Sequence, residues 1–251
     1  MKKAKVFLCI LLCATLLVGL IMGYVIMPRQ VCERIEAVPH TNNSSVVLGQ
    51  KEVEALLSEA KAEILGKRHK DIDIGLISEE LRKNPFVEKV NFIHFAGGRL
   101  VIDYTLRDVV LNVFTSGGGN YLVDAGGVVL PPTLLMTDCL MVVNGNIGDS
   151  HKIGGKAPRK VLEALSIAEK IKEDDFHRAQ FRQIYINSMN EPELAGTIGG
   201  QTVLLGSADG IDEKLANLKT VYAKALPHKG YKTYTQLDAR YKNRIIATKH
   251  N

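Results

Sequence analysis

VEKVNFIHFAGGRLVIDYTL, residues 87–106, decides the fold of the N-terminal part of the chain. In its second half a large apolar residue recurs at every second position from Leu100 to Leu106, which predicts a half-buried β-strand. A preceding strand, Val87 to Phe95, is expected to join it through AGGR, residues 96–99, a tight hairpin loop. The stretch therefore predicts a β-hairpin with one apolar face, which we expect two preceding helices to cover.

Two helices and a strand are predicted upstream of this hairpin. From about Gln50 to Leu65, apolar residues keep the spacing of one buried helical face. A shorter helix is expected from about Ile74 to Lys83, with Asp73 as its cap and Asn84-Pro85 as its end. A first strand is predicted from Val31 to Val38. The order is therefore strand, helix, helix, strand, strand.

An uncharged apolar run, Val6 to Met27, opens the chain and follows Lys2, Lys3 and Lys5. As a helix it would reach ~33 Å, enough to cross a hydrocarbon core of ~30 Å. The flanking lysines predict a cytoplasmic N-terminus, with the rest of the chain across the membrane. The alternative is a cleaved signal peptide, which has a shorter apolar region and a small-residue cleavage site. The run is longer and ends without such a site, so we predict an uncleaved single-pass anchor.

The charge and the cysteines limit the classes of protein. The net charge is +5, but three lysines precede the apolar run, so the remainder is nearly balanced. That balance excludes the basic surface typical of nucleic-acid binding. Only Cys32 and Cys139 lie outside the apolar run. They could form one bridge in an oxidising compartment or stay unpaired as packing residues, and we favour the second interpretation.

From Asp108 onward the pattern changes to short apolar runs separated by glycine turns, which predicts mainly strands. Two helices interrupt them, one from Pro158 to about Ile171 and one from Ile211 to Leu226, with Asp209 as the expected cap of the second. The predicted strands cover residues 109–114, 121–124, 128–130, 182–187, 193–198, 201–205, 233–237 and 243–248.

Several motifs together resemble one protein family. NPFVEKV, residues 84–90, lies between the second helix and second strand of the βααββ unit and is similar to a POTRA domain. NYLVDAGGVVLP, residues 120–131, resembles the hairpin that follows POTRA in the FtsQ/DivIB cell-division family. VLLG at 203–206 resembles that family's passage from strand to long helix, and DARY at 238–241 resembles its terminal strand pair.

This resemblance implies an α+β fold in three parts. Residues 1–28 would form the cytoplasmic tail and transmembrane anchor, 29–107 a βααββ POTRA domain, and 108–251 a mainly antiparallel β domain with two helices and a C-terminal edge strand. It implies a non-catalytic divisome scaffold at the division septum of the cytoplasmic (inner) membrane. Such a scaffold would link early and late division proteins and help to control septal peptidoglycan synthesis. Its implied partners are FtsB/DivIC-like and FtsL-like bitopic coiled-coil proteins.

Enzymatic chemistry is not indicated by the sequence. The seven histidines have no metal-ligand spacing, and G-x-S-x-G does not occur. The glycine-rich segments lie between predicted strands and indicate turns, because a phosphate loop would precede a helix. We therefore expect no catalytic residue, cofactor or metal ligand.

The last predicted strand, Asn243 to Thr248, is the expected partner-binding edge, because no later strand would cover it. Tyr241 would give an aromatic anchor, and Arg240 and Arg244 would meet acidic residues of the partner. With Ile246 and Asn243 these residues form the predicted site. The alternative is that Tyr241 only packs against the sheet.

Two other functions stay open at this point. A POTRA-type envelope assembly or secretion factor would carry several POTRA copies or a C-terminal barrel of many alternating strands. An envelope enzyme would need a catalytic site, which the sequence does not indicate.

Overall fold

The structure is a computed structural model of the chain, and it describes residues 2–26, 31–41, 48–59, 64–133 and 140–249. Helix α1 (Lys2–Ile26) includes residues 6–26 of the predicted anchor, whose last residue, Met27, lies outside the described residues. Judged on the described residues, the chain has no helix with both the length and the apolar character that a membrane crossing requires. The anchor is therefore not confirmed and stays a prediction. Cys32 is buried, whereas Cys139 lies outside the described residues, so the expectation that the two cysteines stay unpaired remains a prediction.

Beyond α1 the described chain divides into an N-terminal unit, which ends at Leu106, and a C-terminal unit, which begins at Arg107. The N-terminal unit contains a three-stranded sheet of order β1-β3-β2, in which β1 is parallel and β2 antiparallel to β3. This arrangement confirms the predicted order strand, helix, helix, strand, strand. Its elements are β1 (Arg34–His40), α2 (Gln50–Glu59), a 3-10 turn (His69–Asp71), α3 (Ile74–Lys83), β2 (Val87–Ala96) and β3 (Arg99–Leu106).

The apolar face of β3 packs as predicted. Leu100, Ile102, Tyr104 and Leu106 are all buried in one cluster with the inward residues of α2 and α3. Asp73 caps α3, because its Oδ1 accepts a hydrogen bond from the Leu76 N–H at 3.1 Å. The alternation of apolar residues along β3 therefore predicted correctly which face of this central strand is buried.

Two predicted boundaries in this unit are wrong. β1 begins at Arg34, because Val31 instead forms an isolated antiparallel bridge with Arg68. Helix α2 does not reach Leu65, which lies in a turn, and residues 60–63 are outside the described chain. Ile64 is nevertheless buried, so the periodicity reflects burial at this position without a helix.

The C-terminal unit contains a nine-stranded sheet of order β12-β11-β10-β9-β8-β7-β4-β5-β6. Most neighbouring strands are antiparallel, as predicted, but β4–β7, β7–β8 and β10–β11 are parallel. Parallel neighbours need a long crossover, and helices supply it between β7 and β8 and between β10 and β11. The strands are β4 (Val109–Phe114), β5 (Asn120–Asp124), β6 (Val129–Leu130), β7 (Met141–Gly145), β8 (Phe181–Ile186), β9 (Pro192–Gly196), β10 (Thr202–Leu204), β11 (Tyr234–Asp238) and β12 (Ile246–Lys249).

The two predicted helices of this unit are present, as α4 (Arg159–Lys172) and α6 (Ile211–Thr220). A short helix that the sequence did not predict, α5 (Asp175–Gln180), follows α4 and is capped by Asp174. A π-helical turn (Val221–Ala225) and α7 (Leu226–Lys229) extend α6. Pro227 is the second residue of α7, and in one continuous α-helix its ring would crowd the carbonyl of Ala223, which lies within the π turn.

The predicted cap of α6 is wrong. Gly210 occupies the N-cap position with φ 63°, whereas the Asp209 carboxylate accepts a hydrogen bond from the Ser207 hydroxyl at 3.2 Å. The left-handed backbone at this position suits glycine, which has no Cβ to clash.

The helices cover one face of the nine-stranded sheet and form a single apolar core with it. One fully buried residue from each inner strand contributes to a row across this face. The row is Tyr121, Val113, Val143, Ile184, Leu194, Val203 and Leu237.

Two buried tyrosines give a matched test of packing. The Tyr104 hydroxyl donates to the Leu48 carbonyl, whereas the Tyr121 hydroxyl has no partner among the described residues. Burial raises the pKa of each hydroxyl to about 12. Tyr104→Phe should therefore lower the free energy of unfolding by about 1 kcal/mol, whereas Tyr121→Phe should leave it unchanged or raise it, since an unsatisfied buried group is removed. Urea unfolding of both variants measures the difference, and equal losses would contradict it.

Candidate partner-binding site

Strand β12 forms one end of the nine-stranded sheet. It pairs antiparallel with β11, where Leu237 lies opposite Ala247 and Asp238 opposite Ile246. All four β12 residues are exposed, and Ile246 shows 46% of its surface. No described strand pairs with its outer side. Backbone donors and acceptors on such an edge are available to an added strand.

The opposite end of the sheet is closed. Beside β6, the Val129 N–H donates to the Gly155 carbonyl at 2.8 Å, and the Gly154 N–H donates to the Val129 carbonyl at 2.8 Å. Val128 adds an antiparallel bridge to Lys156. The segment 154–157 therefore covers this edge as a further strand would.

The predicted start of the last strand is wrong. β12 begins at Ile246, whereas Asn243 lies in the preceding turn with φ 59°, a left-handed conformation that a strand does not contain. The Asn243 backbone N–H donates to Glu213 Oε1 on α6 at 3.0 Å. Of the five predicted site residues, only Ile246 lies on the edge strand. The other four lie in the connection from β11 to β12.

Arg240 is engaged within the chain. Its Nε and Nη2 donate to the two carboxylate oxygens of Asp238 at 3.0 and 2.8 Å, and its Nη1 lies 3.7 Å from Glu191 Oε2. This bidentate pair holds the pKa of the Asp238 carboxyl below its usual value. The Arg240 stem lies against Gly206, where a Cβ would approach Arg240 Cγ to 2.9 Å. Arg240 therefore stabilises the connection between β11 and β12 through contacts within the chain itself.

Tyr241 and Arg244 form a second pair in the same connection. Tyr241 is 43% exposed, and the Arg244 guanidinium carbon lies 5.0 Å from the centre of its ring. That distance allows a cation–π contact. Nearly half of the tyrosine surface is accessible, so the ring is not fully packed against the sheet.

Three residues that hold this connection were not found from the sequence. Glu191, Gly206 and Glu213 are far from residues 238–246 along the chain, and only the fold brings them together. Asp238, two residues before Arg240, carries a local signal, since opposite charges at that spacing often pair in a turn.

The described part of the chain lacks a cluster of metal-ligand side chains. It holds no group of three or more His, Cys, Asp or Glu side chains that could bind a metal ion. A shallow depression lies among Asp108, Val110, Glu169, Lys172 and Glu173. The Lys172 ammonium there already contacts the Asp108 carboxylate at 3.3 Å.

Comparison with known families gives two matches. The family model described as FtsQ/DivIB, C-terminal related, matches residues 109–248, more than half of the chain. The model described as a POTRA-like domain matches residues 30–105. A search of curated proteins gives no significant match. These two families are generally non-enzymatic, and together they support a division-associated scaffold at the level of the family. The chain therefore belongs to the FtsQ/DivIB cell-division family, with a POTRA-like domain preceding the C-terminal domain of that family.

Proposed function

We propose that this chain is a non-catalytic divisome scaffold that captures a partner by strand addition at β12. The observation that carries the proposal is the uncovered β12 edge in a chain of a cell-division family. An extended partner segment placed beside β12 would complete the backbone hydrogen bonds of the sheet, and neighbouring side chains would select the sequence. Tyr241, Arg244 and Ile246 are the side chains available for that selection.

We also propose that α1 holds the chain in the cytoplasmic (inner) membrane as a single-pass anchor, with its N-terminus cytoplasmic and both units outside or in the periplasm. Its described large apolar side chains are all exposed, which supports contact with lipid. They are Ile10, Leu11, Leu12, Leu16, Leu17, Val18, Leu20, Ile21 and Met22.

The partners that fit this arrangement are FtsB/DivIC-like and FtsL-like bitopic coiled-coil proteins in the same membrane. Two proteins confined to one membrane meet at a raised effective concentration, so a short added strand suffices for capture. Through these contacts the chain would link early and late division proteins and help to control septal peptidoglycan synthesis. The POTRA-like match alone also fits an envelope assembly or secretion factor. Such a factor is not expected to concentrate at the septum.

Localisation separates these functions. A fluorescent protein fused to the N-terminus of the full chain should form rings at midcell, because the β12 edge would bind septal partners. Residues 1–41 with the same reporter should spread evenly, since they lack the C-terminal unit. Even fluorescence from the full chain would contradict the scaffold and favour the assembly factor.

A further inference from the structure

A loop of the N-terminal unit is joined directly to the residues that follow the proposed anchor. Val31 bridges to Arg68, the Cys32 N–H donates to the Lys67 carbonyl at 2.8 Å, and the Gly66 N–H donates to the Cys32 carbonyl at 2.8 Å. Five residue steps separate Ile26, the end of α1, from Val31. A fully extended chain covers at most about 18 Å in that span, so the loop is held close to the end of α1.

The exposed side chains of this loop are of two kinds. Leu65 is 58% exposed and Val31 is 42% exposed, so two apolar side chains of this region are accessible. Lys67, Arg68 and Lys70 are exposed beside them. We call these five residues the basic loop.

The acidic residues near the basic loop leave its lysines available. Asp71 contacts Arg68, with 2.7 Å between Oδ2 and Nε. The Glu33 side chain lies against Gly98 in the hairpin between β2 and β3, where a Cβ would approach Glu33 Cδ to 2.8 Å. Lys67 and Lys70 have no ion pair with a described residue. The excess charge of the loop is therefore positive.

We propose that the basic loop binds the headgroups of anionic phospholipids in the membrane that holds α1. This inference rests on the anchor in the proposed function. Lysine and arginine attract anionic headgroups, and exposed apolar side chains between them enter the interface of headgroups and acyl chains. The short link to α1 keeps the loop near that surface, and its charge is complementary to it. The contact would fix the orientation of the N-terminal unit on the membrane.

The test uses the full chain in nanodiscs, made either of phosphatidylcholine alone or with phosphatidylglycerol added. Amide hydrogen exchange over residues 64–72 should be slower in the anionic discs, and high salt should remove the difference. Each basic residue near an anionic surface strengthens binding about fivefold. The double substitution K67Q/K70Q should therefore weaken the contact on the order of twentyfold and equalise exchange in the two lipids, while the Arg68–Asp71 pair is left intact.

A matched control makes the same change of charge elsewhere on the unit. Lys51 and Lys89 are both exposed, and K51Q/K89Q should keep the slow exchange of the wild type. If the chain resists carbonate extraction but the wild-type loop exchanges equally in both lipids, the lipid-binding inference is wrong while the anchor is retained. Extraction by carbonate would overturn the anchor, and the inference with it. Equally slow exchange in both lipids would indicate a contact that does not select anionic headgroups, and it would also overturn the proposal.

Discussion

Ile102→Asp should unfold the N-terminal unit. Ile102 is 0% exposed on β3, the central strand of its sheet, and packs against the core residues of both helices. Truncating a buried isoleucine typically costs about 2–5 kcal/mol, and an unpaired buried carboxylate adds to that cost. A domain has only about 5–15 kcal/mol of stability in total, so the change removes most or all of it.

The matched control is Ile74→Asp, the same substitution at the first residue of α3, where Ile74 is exposed. A carboxylate in the first turn of a helix is favourable, so this variant should melt like the wild type. Limited proteolysis and thermal unfolding followed by circular dichroism measure both. Similar melting of the two variants would contradict the packing of β3.

Asp103 is not a suitable control for this experiment, although it faces the other side of β3. It is buried, and its two carboxylate oxygens contact Asn91 Nδ2 at 2.7 Å and His40 Nε2 at 2.8 Å. Replacing it would leave these polar groups without their partner.

Tyr241→Ala should strongly weaken capture of the FtsB/DivIC-like partner by the full chain. Aromatic interface anchors cost about 2 kcal/mol or more when truncated, which corresponds to roughly thirtyfold in affinity. Tyr185 on β8 is also 43% exposed, so Tyr185→Ala removes the same side chain at the same exposure away from the edge. It should bind like the wild type. Pull-down at several partner concentrations measures both, and equal binding would contradict the assigned site.

Proline substitutions in β12 test the backbone part of the same prediction. Successive N–H groups of a strand point to opposite sides, so one of Ile246→Pro and Ala247→Pro removes an outward N–H and the other removes one directed at β11. The variant that removes the outward N–H should no longer bind the partner, while its circular dichroism spectrum should be unchanged. If both variants stay folded and bind normally, strand addition at β12 is wrong.

The elements that the sequence predicted well are those with local signals. The alternation of β3, the AGGR hairpin and the Asp73 cap of α3 each depend on residues within one element. β7 and α5 were missed for different reasons. β7 is five residues long and is defined by its neighbours β4 and β8, whereas α5 has six residues, too few to show a helical period.

The sequence predicted the last strand as an edge of the sheet, and the described structure has no strand on the outer side of β12. Partner binding at this edge stays a prediction. The roles of Arg240 and Asn243 depend on Glu191 and Glu213, which contact them only through the fold. No pattern within residues 238–246 could have indicated those contacts.

The closed edge beside β6 and the open edge at β12 together set a limit on assembly. A sheet with two free edges can grow from molecule to molecule into a filament, because each added strand offers a new edge. As far as the described residues show, this nine-stranded sheet can accept a strand at the β12 end but not beside β6. A partner segment and a second copy of the chain would then compete for the same place, so capture of the partner would itself keep two scaffolds from pairing through their sheets.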